Sequence, residues 1–419
     1  MTEAFAHTSF VEERAPLFIN GRPYRFPARP VVVICFDGCD PEYVDAATRA
    51  GLIPNLARMM DQGFSANALA AMPTFTNPNN VAIACGAAPS VTGVAGNYYL
   101  DRATGQEVMV LDGHQMLVDT IFAHFTAAGA DVAVVTAKDK LLRALARNMD
   151  GIALSAESPE TAIDVMGEQA PAAAADKYSE ALSLYVLDAG IRLLEAGRGT
   201  LLYLSLSDYV QHKHAPDAPE ALAFMAEVDQ RLGRLMELGA TLGIVADHGM
   251  TDMSEADGTP RVVYVQDALE ARFGAGSVRV ICPITDPFVR HHASLGGFVR
   301  VYIKDPALSP EDVQAALAGT DGIGLALLAD EACARFDLPI EGEGDVVVVG
   351  AAGFALGASR AEHDLSALAG QRLRSHGGLS EQVVPFILSH PLSADYAARA
   401  EAGLRNYDIF DFAINGVTS

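Results

Sequence analysis

Four apolar runs constrain this chain more than any other feature. They are "VVVICFDG" (residues 31–38), "DVAVVTA" (131–137), "TLLYLSLSD" (200–208) and "TLGIVADHG" (241–249). A half-buried strand alternates apolar and polar residues. A run that is apolar on both faces needs cover on both faces, which parallel strands between helical layers have. Helical patterns lie between the runs, around residues 54–63, 118–128, 179–196 and 219–238. This alternation predicts an α/β fold with a doubly wound, mostly parallel sheet. Half of the 419 residues are hydrophobic, enough for one large domain or a large domain carrying a smaller one.

The pattern changes after Asp252. "RVVYVQDALEARFG", "FVRVYIKDP", "SPEDVQAALAG" and "IGLALLADEACARFDLP" read as short strands and helices. They predict a smaller α+β cap over residues 258–343, inserted into a core made of 1–257 and 344–419. "DVVVVGAAG" (345–353) reads as the return to the core and "VVPFILS" (383–389) as a late strand. Residues 1–29 read as an irregular arm, with an Asn-Gly turn signal in "LFINGRPYRFP" for a small hairpin. Alanine-rich "APAAAADKY" (170–178) reads as a helix lead-in.

Net charge is −24, with a sequence pI near 4.7. A surface for nucleic acid is excluded by that balance, because too little basic charge remains to neutralise phosphates. Five scattered cysteines, without zinc-ribbon spacing, predict buried reduced thiols and a cytoplasmic protein. There is no pattern of a signal peptide at the start, and no apolar stretch long enough to span a membrane.

In an open α/β sheet the site lies beyond the carboxyl ends of the strands. Asp37 ends the first run, Asp208 the third, and Asp247-His248 the fourth. His212 follows Asp208 by four residues, the spacing that shares a helix face. His376 sits in the glycine-containing loop "RSHGGLS". Carboxylates and imidazoles are the donors zinc takes, and Fe or Mn accept the same set. Thr76 stands in "MPTFTNPNNVAIACG" (72–86), a polar junction before an apolar helix. Thr74 is the competing hydroxyl, and the capacity of Thr76 to cap the helix is its plainer role. Asn77 and Asn79 are candidate donors beside it.

Together these pieces resemble the alkaline phosphatase superfamily, in its nucleotide pyrophosphatase/phosphodiesterase-like branch. The matching segments are "FDGCDPEYV", "IPNLARMMDQG", "PTFTNPNNVAIACGAAPSVTGVAGNYYLD", "SDYVQH", "ADHGM" and "HGG", in the family's order. One departure is Thr92-Gly93-Val94, where many relatives read His-Gly-Ile. The resemblance implies an alkaline phosphatase-like fold and a hydrolase with two zinc ions. It implies Asp37, Thr76, Asp247 and His248 on one ion, and Asp208, His212 and His376 on the other. Thr76 is then the nucleophile, forming a covalent phosphothreonine that water releases. A hydroxyl is a poor nucleophile at neutral pH, and zinc corrects that. The helix start adds a positive dipole end for a phosphoryl oxygen.

Lys138 and Lys140 follow the second run in a chain poor in basic residues. If the segment stays extended, they point the same way and hold a second anion such as a carboxylate. With "FTNPNN" and "GNYYLD" they resemble the phosphonoacetate-cleaving members of the branch, whose small anionic phosphonate loses its phosphorus–carbon bond to give acetate and phosphate. Asn97 is a candidate substrate contact on the same resemblance. A phosphodiesterase of the branch shares every ligand but needs neither lysine, and an inactive metal-binding scaffold is the non-enzyme alternative. His291-His292 reads as cap structure or lid contact. His363 is left without a role, and both a monomer and a homodimer fit the composition.

Overall fold

The computed structural model describes residues 14–110, 112–173, 179–286, 292–368 and 370–418. Its main sheet has seven strands, in the order Phe64–Leu69, Val383–Leu388, Thr241–Val245, Val31–Cys35, Leu201–Ser205, Val132–Thr136 and Ile152–Ser155. Five adjacent strands are parallel, and near one edge Val383–Leu388 runs antiparallel to both of its neighbours, Thr241–Val245 and Phe64–Leu69. Every residue of Val31–Cys35, Val132–Thr136, Leu201–Ser205 and Thr241–Val245 is buried. This is the two-sided burial that their unbroken apolar composition requires.

Helices Ala181–Glu195 and Pro219–Glu237 pack on each other, with Pro41–Arg49 and Pro54–Gln62 against the second of them. Thr76–Cys85 packs with Ile121–Ala127 and Asp139–Leu145 in another group. The strands Leu17–Ile19 and Arg22–Tyr24 form the hairpin that Asn20-Gly21 signals, both turn residues having positive φ. The alanine-rich stretch is not helical at 170–173, and 174–178 lie outside the described residues.

A second sheet of four strands, Val278–Ile281, Phe298–Ile303, Val346–Gly350 and Ile323–Leu328, is antiparallel throughout. Val346–Gly350 corrects the sequence reading: it does not return to the large sheet. It lies between two partners in the small one, and such an interior strand is as apolar as a parallel strand. The small sheet has its own buried cluster, and Met72 and Phe75 belong to it. The chain that leads into Thr76 is therefore anchored in the core of the second sheet.

Candidate metal and phosphoryl site

Thr241–Val245, Val31–Cys35 and Leu201–Ser205 are adjacent parallel strands, so Asp247-His248, Asp37 and Asp208 emerge side by side at their carboxyl ends. Asp208 precedes the helix Tyr209–Lys213, which carries His212. His376 arrives on the chain after Arg374–Ser375. Two glycines permit this approach. At Gly38, with φ +68°, a Cβ would lie 3.0 Å from that of Asp208. At Gly377, with φ +124°, a Cβ would lie 2.3 Å from the Phe75 ring.

Six of the predicted ligands form two groups: Asp37, Asp247 and His248, and Asp208, His212 and His376. Within each group one donor atom per residue lies within 4.8 Å of the others. His248 and His376 join the groups, their rings stacked with centroids 3.6 Å apart.

The donor set fits cations on hydrogen-bonding grounds. Nδ1–H of His212 is donated to the Arg374 carbonyl at 2.7 Å, that of His248 to Gly249 at 2.8 Å, and that of His376 to Thr74 at 2.8 Å. A carbonyl only accepts, so each neutral ring presents a lone pair at Nε2. Those lone pairs face carboxylate oxygens: His212 toward Asp208 at 2.8 Å, and His248 toward Asp37 at 3.4 Å. Acceptor facing acceptor is unfavourable, and a cation between them reverses its sign. Asp37 Oδ1 is buried and accepts no hydrogen bond. Burial, then Asp208 and Asp247, pushes the Asp37 carboxyl well above its usual range. Burial first also raises Asp247, while burial and the neighbouring His248 and His212 push His376 well below its ordinary value.

Thr76 is the first residue of the helix Thr76–Cys85, whose N-cap is Phe75. Its hydroxyl therefore does not cap the helix. It meets His248 Nε2 at 3.1 Å, at the edge of the first group. Thr74 is the buried hydroxyl: it donates to the Gly378 carbonyl and accepts from Gly377 N–H, both at 2.9 Å. Asn79 is also committed elsewhere. Its amide bonds the carbonyls of Ala71, Pro73 and Phe75, and its oxygen accepts from Ala71 N–H and Asn406. Asn77 donates to Asn97 Oδ1 at 2.6 Å, and Asn97 is buried.

The lysines differ from the expected extended pair. Lys138 is the N-cap of Asp139–Leu145 and Lys140 lies in its first turn. Lys138 meets Glu157 at 3.7 Å, and its charge opposes in small part the rise that burial and the neighbouring aspartates impose on the Asp37 carboxyl. Lys140 forms an ion pair with Asp286 in which both side chains are about 10% exposed. Lys140 and Asn77 also line one cavity with Val81, Val94, Val110 and Met116.

His292 is closer to the site than a cap reading implies. Its ring stacks on His212 with centroids 5.6 Å apart, and burial and the neighbouring His212 depress it to about 3. His291 lies outside the described residues. His363 is structural, accepting from Ala358 N–H and donating to the Ala293 carbonyl. Asn80 was also missed. It bonds Asp247 Oδ2 at 2.9 Å and the Thr76 carbonyl at 3.0 Å, while Tyr203 and Ser205 fix its oxygen. Its place one helical turn after Thr76 was the available signal.

The family model for type I phosphodiesterase / nucleotide pyrophosphatase matches residues 31–320. A crystal structure of phosphonoacetate hydrolase from Sinorhizobium meliloti 1021 in complex with phosphonoacetate is 41% identical. It covers 97% of this chain and 100% of its own, with a TM-score of 0.89. The same enzyme in complex with phosphonoformate matches equally. Murine ectonucleotide pyrophosphatase/phosphodiesterase 5 is 16% identical, covers 92% of this chain and 94% of its own, and has a TM-score of 0.63. At that identity the likeness is one of fold. Among the described residues no helix is long and apolar enough to cross a membrane.

Proposed function

Since the chain belongs to the type I phosphodiesterase / nucleotide pyrophosphatase family, with a phosphonoacetate hydrolase as a relative at 41% identity, we propose that it hydrolyses phosphonoacetate to acetate and phosphate. The observation that carries the reading is Lys140 buried beside Asn77, next to the helix that begins with Thr76. A substrate that carries a carboxylate beside its phosphoryl group gives a buried ammonium there a partner.

Two divalent ions are part of this reading, zinc by preference, with Fe or Mn compatible with the same donors. Asp37, Thr76, Asp247 and His248 would hold one; Asp208, His212 and His376 would hold the other. Bound there, they supply the positive charge that lets an alcohol act as a nucleophile at neutral pH.

The Thr76 oxygen attacks phosphorus as its proton leaves to solvent, forming the Oγ–P bond as the P–C bond breaks. The electron pair of that bond passes to the methylene carbon and delocalises onto the adjacent carboxylate as an enediolate. In this reading Lys140 and Lys138 attract the charge that grows there, an attraction stronger in the transition state than in the substrate. Water then protonates the carbon, giving acetate. The positive end of the helix Thr76–Cys85 favours the phosphoryl oxygens. A second water attacks the phosphothreonine, releasing phosphate and restoring the hydroxyl. The chain's part is to fix Thr76 in line, through Phe75 below and Asn80 behind it.

Release of acetate and phosphate in equal amounts from phosphonoacetate tests the reading. Phosphate-ester cleavage of bis-p-nitrophenyl phosphate without phosphonoacetate turnover would instead favour a phosphodiesterase with the same ligands.

A further inference from the structure

Lys140 does not wait unaccompanied for an anion. Asp286 holds it, in an ion pair with both side chains about 10% exposed. Asp286 belongs to the chain after the strand Val278–Ile281 of the second sheet, so the pair ties that chain to the helix Asp139–Leu145 beside the main sheet. That chain is fixed there by its backbone. Pro283 accepts from Asn97 N–H at 2.8 Å, and Ile284 accepts from the Asn97 amide at 3.4 Å. Asn97 in turn accepts from Asn77 on the Thr76 helix. Two residues beyond Ile284, the Asp286 carboxylate reaches Lys140.

A ligand carboxylate directed to Lys140 therefore arrives where a carboxylate already sits. Two carboxylates sharing one partly desolvated ammonium repel each other, and the ammonium cannot neutralise both. We propose that Asp286 is the resident counter-anion of Lys140, which the substrate's carboxylate must displace, and so a specificity-determining residue. This rests on the reading that Lys140 binds that carboxylate. In the free enzyme Asp286 compensates a buried charge that would otherwise destabilise the fold. In the complex it is a competitor. A ligand with only a phosphoryl group leaves the Lys140–Asp286 pair in place, whereas a ligand with a carboxylate has to exchange with it. The sign of the effect distinguishes this role from a positioning role. A residue that merely oriented Lys140 would weaken carboxylate binding when removed.

The experiment is calorimetric titration of the metal-loaded protein with phosphonoformate and, separately, with inorganic phosphate. Asp286→Asn is expected to bind phosphonoformate about tenfold more tightly than wild type, with phosphate changed less than about twofold. The gain is expected to vanish in Lys140→Gln/Asp286→Asn, closing a double-mutant cycle. Asp286→Ser, a smaller polar replacement, is run beside it, and thermal melts identify a variant that fails to fold. Weaker phosphonoformate binding in the folded Asp286 variants, or equal tightening for phosphate, overturns the proposal. Wild type that binds phosphonoformate no better than phosphate overturns the Lys140 reading beneath it. Absence of phosphonoacetate turnover, with the titrations as expected, removes the proposed reaction and leaves the role of Asp286 standing.

Discussion

His212 and Asp208 face each other as two acceptors. His212 Nε2 lies 2.8 Å from Asp208 Oδ2, while the N–H of the neutral, ligand form of the ring, at Nδ1, is given to the Arg374 carbonyl at 2.7 Å. The pair makes sense around a cation, and the same geometry recurs at His248 and Asp37. The candidate ligands come from three adjacent strand ends, the helix Tyr209–Lys213 and the chain after Arg374–Ser375, so the sheet sets much of the spacing of the groups.

On the proposed reading, Thr76 and Thr74 divide catalysis and structure between them within three residues. Thr76→Ala is expected to lower phosphate release by at least about 10⁴-fold with an unchanged melting temperature, as removal of a nucleophile does. Thr76→Ser is expected to keep measurable turnover. Thr74→Ala, which unties the loop at Gly377 and Gly378, is expected to lower the melting temperature instead. A full loss of rate in a well-folded Thr74→Ala protein with an active Thr76→Ala would reverse the assignment.

Asn80 and Asn79, adjacent on the helix, are predicted to fail differently. Asn80 orients Asp247, so Asn80→Ala is expected to cost about 10–100-fold in metal affinity, the usual effect of losing a partner behind a ligand. Competition against a chelating dye reads this. Asn79 ties five backbone and side-chain groups together. Asn79→Ala is expected to cost about 2–3 kcal/mol or more of stability by leaving buried partners unsatisfied, as read by denaturant unfolding.

Glu381 gives the fold a pH dependence. Burial raises its carboxyl from the ordinary 4.5 to about 7, against opposing hydrogen bonds from Thr251 and Gly378. The folded-state value is the higher one, so this contribution to stability is fully present below about pH 4.5 and is lost as pH rises through about 7. Glu381→Gln, which keeps an acceptor for Gly378 N–H, is expected to out-melt wild type by a few degrees at about pH 8. The advantage is expected to be smallest at about pH 5. Thermal melts across that range check it, and a difference independent of pH would contradict it.

The clustering of the candidate strand-end ligands was legible because each follows a largely apolar run, and a parallel sheet brings such ends together. The spacing of Asp208 and His212 needed only a helix between them. What was not legible depended on contacts from elsewhere. Lys138 and Lys140 read as an extended pair, but Asp139 opens a helix, and the Thr136 hydroxyl donates to the Lys138 carbonyl at 2.8 Å. Val346–Gly350 has the composition of a core strand wherever it is buried, so its sheet was not written in its residues. Asp286 and His292 reach the site on a loop from the second sheet, and no spacing in the sequence connects them to Lys140 or His212.

The direct measurement of the central claim is metal content. Protein equilibrated with zinc and exhaustively dialysed is expected to retain two equivalents per chain by elemental analysis. His212→Ala is expected to retain about one, with phosphonoacetate turnover lost. Full turnover by protein that retains no divalent metal would contradict the account.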